Sequence, residues 1–349
     1  MTAVTAVTAR APAKVNLQLA VGPLRAHGYH DVVTVYHAVS LFDEVTVVPA
    51  DTDSVVVTGE GAGDVPTDGT NLAARAAEAL AQAVGPGCKD SPGLTIRISK
   101  RVPVAAGLAG GSADAAATLV ACNELWRTGL SQAELCELAA GIGSDVAFGL
   151  VGGTAIGVGR GERVTPALAA GTYHWVLAFA TGGLSTAQVY AACDRIRAAR
   201  VKAAGSASQR EAAAGGQASR VKQAGRPARA GRGGPAAPPS PLALDNRLMA
   251  ALRSGNPAEV GPLLTNDLQQ AAISLRPELR RTLAAGVEHG ALAAIVSGSG
   301  PTCAYLARDA RHAAGLAVAL AGAGVCRTVV HVVGPVPGAS VTSIATEPV

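Results

Sequence analysis

The stretch that joins an expected strand, Leu94 to Ile98, to an Ala-rich run carries the clearest chemistry in the chain. It reads Pro103, Val104, Ala105, Ala106, Gly107, Leu108, Ala109, Gly110, Gly111, Ser112 and Ala113, followed by Asp114. A Gly-rich turn that opens a helix leaves backbone N–H groups unpaired beside the positive end of the helix dipole. Phosphate oxygens are the natural partners of such a site, and glycine lets the backbone approach them closely. Two better-known glycine patterns fail here. A Walker loop needs a Lys after its last Gly, and none follows Gly110 or Gly111. The dinucleotide pattern Gly-x-Gly-x-x-Gly fails because Ala109 stands at its second Gly. A tight turn without a ligand is the plain alternative, yet Gly107, Gly110, Gly111 and Ser112 together exceed what a turn requires.

The elements that must position this loop follow from periodicity. Val15 to Val21, Val32 to Leu41, Val45 to Val48, Val55 to Thr58 and Leu94 to Ile98 read as strands. Helical spacing joins Leu72, Ala76, Leu80 and Val84, then Leu119, Cys122 and Trp126. Ser131 and Glu134 have the form of a capping box ahead of Leu135, Leu138 and Ile142. In the second half, strands are expected at Trp175 to Ala180, Ala293 to Ser297, Cys303 to Ala307 and Thr328 to Val333. Helices are expected at Thr186 to Arg200, Pro257 to Ala272, Pro277 to His289 and Ala310 to Ala321. Strands and helices that come in runs predict an α+β fold, not a doubly wound sheet. The Gly- and Arg-rich stretch Val151 to Arg163 is placed near a domain boundary, which gives domains at 1–170 and 171–349.

A chain of 349 residues with 49% hydrophobic residues supports one large or two medium cores, and with only 3% aromatics the filling falls to Ala, Val and Leu. No apolar run approaches the ~20 residues of a membrane span, and Met1 to Arg10 lacks a secretory pattern. Cys88, Cys122, Cys136, Cys193, Cys303 and Cys326 lie far apart, as free buried thiols in a reducing compartment would. A cytoplasmic protein is the expectation. The formal charge of +4 is misleading. Between Arg197 and Pro241 nine Lys/Arg face the single acid Glu211, an excess of +8 that leaves the rest of the chain near −4. Residues 201–241 hold almost no large apolar side chains and read as a disordered basic insertion. An arm for RNA is the alternative, but no aromatics interleave its charges. No nucleic-acid partner is expected.

The loop from Pro103 to Ala113 resembles the phosphate loop of the GHMP kinases, the superfamily of galactokinase, homoserine kinase and mevalonate kinase. Ala11-Pro-Ala-Lys-Val-Asn-Leu17 resembles the opening strand of that superfamily, and Val296-Ser-Gly-Ser-Gly-Pro-Thr302 its third motif. Taken alone, a Lys in a strand is usually a solvated edge and Ser-Gly-Ser-Gly usually a loop; three matches in order are more specific. Two short stretches, Lys14-Val-Asn16 and Arg25-Ala-His-Gly-Tyr-His30, resemble the methylerythritol branch, and so does Gly143-Ser-Asp-Val-Ala-Phe148. The branch has Asp where His27 stands and Pro where Ala147 stands.

The resemblance implies a two-domain α+β fold with ATP and substrate in the cleft between domains. It makes Asp145 the base or orienting group for the attacking hydroxyl, with Lys14 beside it. As plain alternatives, Asp145 would cap a helix and Lys14 would form a surface ion pair. The branch binds a cytidine diphosphate handle, which assigns an aromatic face to Tyr29 and hydrogen bonds to His30, with Thr186 and Tyr190 as further contacts. Asn16 would meet the acceptor end, together with Gly298, Ser299 and Gly300. Asn71 and Lys100 fall at positions near the adenine, although Lys100 also reads as a strand-end charge. Ser112 would touch phosphate or Mg²⁺. The implied reaction is ATP-dependent phosphorylation of the 2-hydroxyl of a diphosphocytidyl methylerythritol in non-mevalonate isoprenoid synthesis. A sister kinase for homoserine or a mevalonate-type alcohol is the first rival, though it gives no reason for Gly28-Tyr-His30. An inactive nucleotide-binding regulator on the same fold is the second.

Overall fold

The computed structural model describes residues 3–26, 28–85, 91–215 and 242–348. His27 and Cys88, both singled out in the sequence, lie outside the described residues.

The chain opens with two long strands, β1 (Ala3–Leu24) and β2 (His30–Ala50), which pair antiparallel. The register shifts at Pro12/Ala13, where β2 carries the extra Ser40 and Leu41, and at Asn16/Gln18, where β1 carries the extra Leu17, and Pro12 is tolerated because it sits at the first of them. The sequence reading broke β2 at Asp43-Glu44. The strand in fact runs straight through, because Asp43 is buried against a lysine and not turned to solvent. Its length lets β2 hold two partners along one edge: β5 (Thr154–Gly159) at its start and β4 (Gly93–Lys100) at its end. β3 (Ser54–Gly59) lies parallel to β4, and β6 (Arg163–Pro166) pairs with β5. The Gly- and Arg-rich stretch placed near a domain boundary supplies β5 to this first sheet.

Four helices cover that sheet: α1 (Leu72–Val84), α2 (Gly110–Leu125), α3 (Gln132–Ile142) and α4 (Val146–Val151). The capping box of α3 forms as expected, with Ser131 and Glu134 exchanging side-chain and backbone contacts. α2 is buried almost all round. Its Ala113, Ala115, Ala116, Ala117 and Ala121 let it lie close against the sheet, and Leu119 and Cys122 fill what remains.

A second sheet has the order β11–β7–β10–β9, with β7 (Tyr173–Phe179), β9 (Ala293–Val296), β10 (Cys303–Ala307) and β11 (Thr328–Gly334). Around it lie α5 (Thr186–Gly215), α6 (Asn246–Ser254), α7 (Pro257–Val260), α8 (Gln269–Leu275), α9 (Leu279–Glu288) and α10 (Ala310–Gly322).

Three expectations need correction here. The helix expected over Pro257 to Ala272 is broken after α7 by Gly261-Pro262; a proline lacks the N–H that a continuing helix needs. The break allows the short β8 (Thr265–Asn266) to join β1 in parallel. Residues 201–215, read as disordered, continue α5, since Ala is the best helix former and this segment is rich in it. The remainder of that insertion, 216–241, lies outside the described residues. Finally, β12 (Ser340–Pro348) was missed; it returns to the first sheet and pairs with β1 from Ala3 to Arg10.

Of the cysteines described, Cys122, Cys193 and Cys303 are buried and Cys136 and Cys326 partly so, and all five are free thiols. Among the described residues no helix is long and apolar enough to cross a membrane.

Candidate active site

The loop before α2 is held in an unusual backbone conformation. Ala105 and Ala109 take positive φ of 50° and 61°, a region that costs a residue with a Cβ about 1–2 kcal/mol. Gly107 also has positive φ, and a Cβ there would stand 2.1 Å from the carbonyl oxygen of Ser297. Only glycine lets the loop and the third motif touch. Ser297 Oγ donates to the Gly107 carbonyl at 3.1 Å, and Thr302 N to that of Ala106 at 3.3 Å. No side chain caps the N-terminus of α2, so its first turn faces a cavity of about 860 Å³.

β1 enters the same cavity from the other side. The Lys14 amide donates to the Leu108 carbonyl at 3.1 Å, fixing strand to loop. The buried Lys14 ammonium donates to Asn16 Oδ1 at 2.6 Å and lies 3.7 Å from Asp145 Oδ2. Asn16 Nδ2 in turn donates to Thr34 Oγ1, and Thr34 to the Gln18 carbonyl. Burial pulls the Lys14 pKa below its ordinary value, against the opposing pull of the Asp145 carboxylate. Gly298 has φ +54°, and a Cβ there would stand 2.9 Å from the Lys14 ammonium.

Asp145 occupies the N-cap position of α4 without using its side chain as a cap. Its carboxylate faces the cavity instead, where Tyr36 donates to Oδ1 at 2.8 Å. Tyr36 is buried and stacked on Phe148, with ring centroids 4.7 Å apart. Burial, and then the Asp145 charge, push its phenol pKa well above the ordinary value, so it remains a donor. The surface ion pair considered for Lys14 is likewise not formed, since the lysine is buried.

At the far end, Tyr190 and His30 lie with ring centroids 4.9 Å apart. His30 Nε2 sits 3.0 Å from Asp194 Oδ2, a contact that sets the ring's orientation. Tyr29 is exposed, with the Arg160 guanidinium 5.3 Å above its ring. Thr186 Oγ1 and Ser299 Oγ are 3.1 Å apart, tying α5 to the third motif.

Asn71 lines the cavity, but its amide is engaged: Oδ1 accepts from Ala73 N as the cap of α1, and Nδ2 donates to the Pro66 carbonyl. Lys100 is buried and donates to both Asp43 and Asp114, the latter at 2.7 Å. Asp43 also accepts from the amides of Arg101 and Val102. Burial opposes the Lys100 charge, but Asp114 and Asp43 prevail and raise its pKa. Burial likewise lifts the Asp114 pKa to about 7, against the pull of Lys100.

The cavity thus gathers Lys14, Asn16, Tyr29, His30, Asn71, Lys100, Asp145, Thr186, Tyr190, Gly298 and Ser299 with most of the loop. Three of the expected site residues, Leu108, Ala113 and Gly300, do not line the cavity. The side chains of Leu108 and Ala113 are buried in hydrophobic clusters, and Gly300 serves the turn at φ +78°. Sequence reasoning missed Tyr36, Asp43, Arg160 and Asp194. A charge at Asp43 within an apolar strand was the one signal available.

The description "GHMP kinases N terminal domain" matches residues 71–155, and "GHMP kinases C terminal" matches residues 248–326. A 4-diphosphocytidyl-2-C-methyl-D-erythritol kinase of Nocardia farcinica is 53% identical over 335 residues, covering 96% of each chain. The chain belongs to the GHMP kinase family. A crystal structure of 4-(cytidine 5'-diphospho)-2C-methyl-D-erythritol kinase superposes with a TM-score of 0.65 at 30% identity, covering 93% of this chain and 98% of that one. A homoserine kinase from Cytophaga hutchinsonii reaches a TM-score of 0.66 at 18% identity, covering 97% of each chain. The shared backbone of GHMP kinases therefore does not separate the branches. Sequence does, and it places this chain with the diphosphocytidyl methylerythritol kinases.

Proposed function

We propose that the protein transfers the γ-phosphoryl group of ATP to the 2-hydroxyl of 4-diphosphocytidyl-2-C-methyl-D-erythritol, in the cytoplasm. The observation that carries this reading is the Lys14–Asp145 pair facing the uncapped start of α2 within one cavity. Phosphoryl transfer asks little covalent chemistry of a protein and much positioning and charge stabilisation. The first turn of α2 would take the phosphates of ATP through backbone N–H groups. Asp145, fixed by Tyr36, would orient the acceptor hydroxyl and receive its proton. Lys14 would stabilise charge gathering on the transferred group. Asn16, between Lys14 and Thr34, would set the acceptor carbon chain against them. The cytosine would lie among Tyr190, His30 and Tyr29, where aromatic faces and a polar edge meet.

The residues around the loop also fit a Mg²⁺ ion. Mg²⁺ takes one or two carboxylates together with substrate phosphates. Asp114 Oδ1 is a buried oxygen without a hydrogen-bond partner in the protein, and both Asp114 and Ser112 line the cavity. Ser112 and Asp114 would hold the ion, which would supply positive charge against the phosphates of ATP.

The test is ADP release with Mg-ATP and, in turn, the diphosphocytidyl compound, homoserine and mevalonate. Turnover with the first alone is expected. Turnover with another alcohol would overturn the substrate assignment, and silence with all three would favour a regulator.

A further inference from the structure

An acceptor that spans from Asp145 to the ring cluster at Tyr190 must lay its diphosphate between the two, and two negative phosphates in a protein cavity need a cation. Among the described residues three side chains of lysine or arginine line the cavity: Lys14, Lys100 and Arg160. Lys14 is engaged with Asn16 and Asp145 at the hydroxyl end. Lys100 is locked between two aspartates behind the ATP loop. Arg160 remains.

Its position fits the task. Arg160 stands in the turn between β5 and β6, next to Gly161. A Cβ on Gly161 would be 2.3 Å from the Tyr36 hydroxyl and 3.8 Å from Asp145 Oδ1, so the backbone beside Arg160 abuts the acceptor carboxylate. The Arg160 side chain then extends to the Tyr29 ring, 5.3 Å from its centroid. One residue therefore bridges the hydroxyl end and the cytidine end. The contacts it makes are weak: Nη2 donates to the Ala140 carbonyl at 3.4 Å, and Nε lies 4.0 Å from Glu162 Oε2. A guanidinium has five N–H donors in a planar fork suited to phosphate oxygens, more than these contacts use. Its side chain is 41% exposed, open to a ligand.

We propose that Arg160 binds the diphosphate of the acceptor and so selects a nucleoside-diphosphate ester over a bare alcohol. The inference rests on the function proposed above and adds a residue to it. The cation–π contact with Tyr29 pre-orients the fork, so that the aromatic that meets the cytosine and the cation that meets the phosphates are set by each other.

The experiment compares wild type, Arg160→Gln and Arg160→Lys in ADP release and in calorimetric titration with CDP. In Arg160→Gln, KM for the diphosphocytidyl substrate and Kd for CDP should each rise about tenfold to a hundredfold, the span of a charged hydrogen-bonded contact. KM for ATP, kcat and Tm should stay near wild type, and Arg160→Lys should fall between, since it keeps charge and loses the fork. Equal CDP affinity in wild type and Arg160→Gln overturns the proposal. So does a parallel rise in the KM for ATP, or a fall in Tm that accounts for the change. Wild-type turnover reports separately on the acceptor: a wild type that binds CDP through Arg160 but leaves the diphosphocytidyl compound unphosphorylated would refute the function and keep the contact.

Discussion

The Tyr36 phenol donates to Asp145 Oδ1 at 2.8 Å from a strand more than a hundred residues earlier in the chain, while the other oxygen faces the Lys14 ammonium at 3.7 Å. The carboxylate is thus held from two sides. A group that must meet a hydroxyl in line with a phosphate gains from such fixing, because small misplacements are costly in rate.

Removing the hydroxyl in Tyr36→Phe should lower kcat about tenfold to a hundredfold, the worth of a hydrogen bond to a charged group. The ring stacked on Phe148 stays, so Tm should hardly move. Steady-state kinetics with a melting curve checks both; an unchanged kcat would mean that Lys14 and the backbone of α4 suffice.

In Asp145→Ala, turnover should be almost abolished while ATP affinity persists, because the phosphate loop does not depend on this side chain. Nucleotide titration beside the activity assay separates the two. Near-normal turnover would remove Asp145 from the proton transfer.

Lys100→Met strands two buried carboxylates that shared one cation. Breaking a buried pair from one side costs about 3–5 kcal/mol, which should appear as a lowered midpoint in urea. A mild change would show that the aspartates take up a proton instead.

The pH dependence follows from Asp114. Burial raises its pKa from 3.8 to about 7. Below pH 4 the folded and unfolded chains both carry the proton, and the residue adds no pH dependence. As pH climbs from 4 to 7 the unfolded chain releases it and the folded chain keeps it, so folding loses ground. The stability of wild type relative to Asp114→Asn should fall across that interval and level off above it. A flat difference between the two proteins would contradict the raised pKa.

The chemical loop, Lys14, Asp145 and the ring cluster of His30 and Tyr190 were legible because each sits inside a local motif whose neighbours are fixed by sequence. What was not legible depends on distance along the chain. Asp43 meets Lys100 and Asp194 meets His30 across long intervals, and no local spacing encodes such encounters. Arg160 looked like part of a boundary because glycines surround it, yet those glycines are what bring its backbone against Tyr36. The break at Gly261-Pro262 was present in the residues, inside a stretch read as a single helix. The extension of α5 reversed a judgement from composition: lack of large apolar residues denies a segment a core, but not a helix, when Ala dominates.

The pairing of β12 with β1 carries a consequence for biosynthesis. β1 bears Lys14 and leaves the ribosome more than three hundred residues ahead of its partner from Ser340 to Pro348. Until then one edge of β1, from Ala3 to Arg10, has open backbone donors and acceptors, the kind of edge to which stray strands attach. A nascent chain can complete the rest of both sheets and still wait with that seam unsealed, which makes those early residues the place where a chaperone would be most useful.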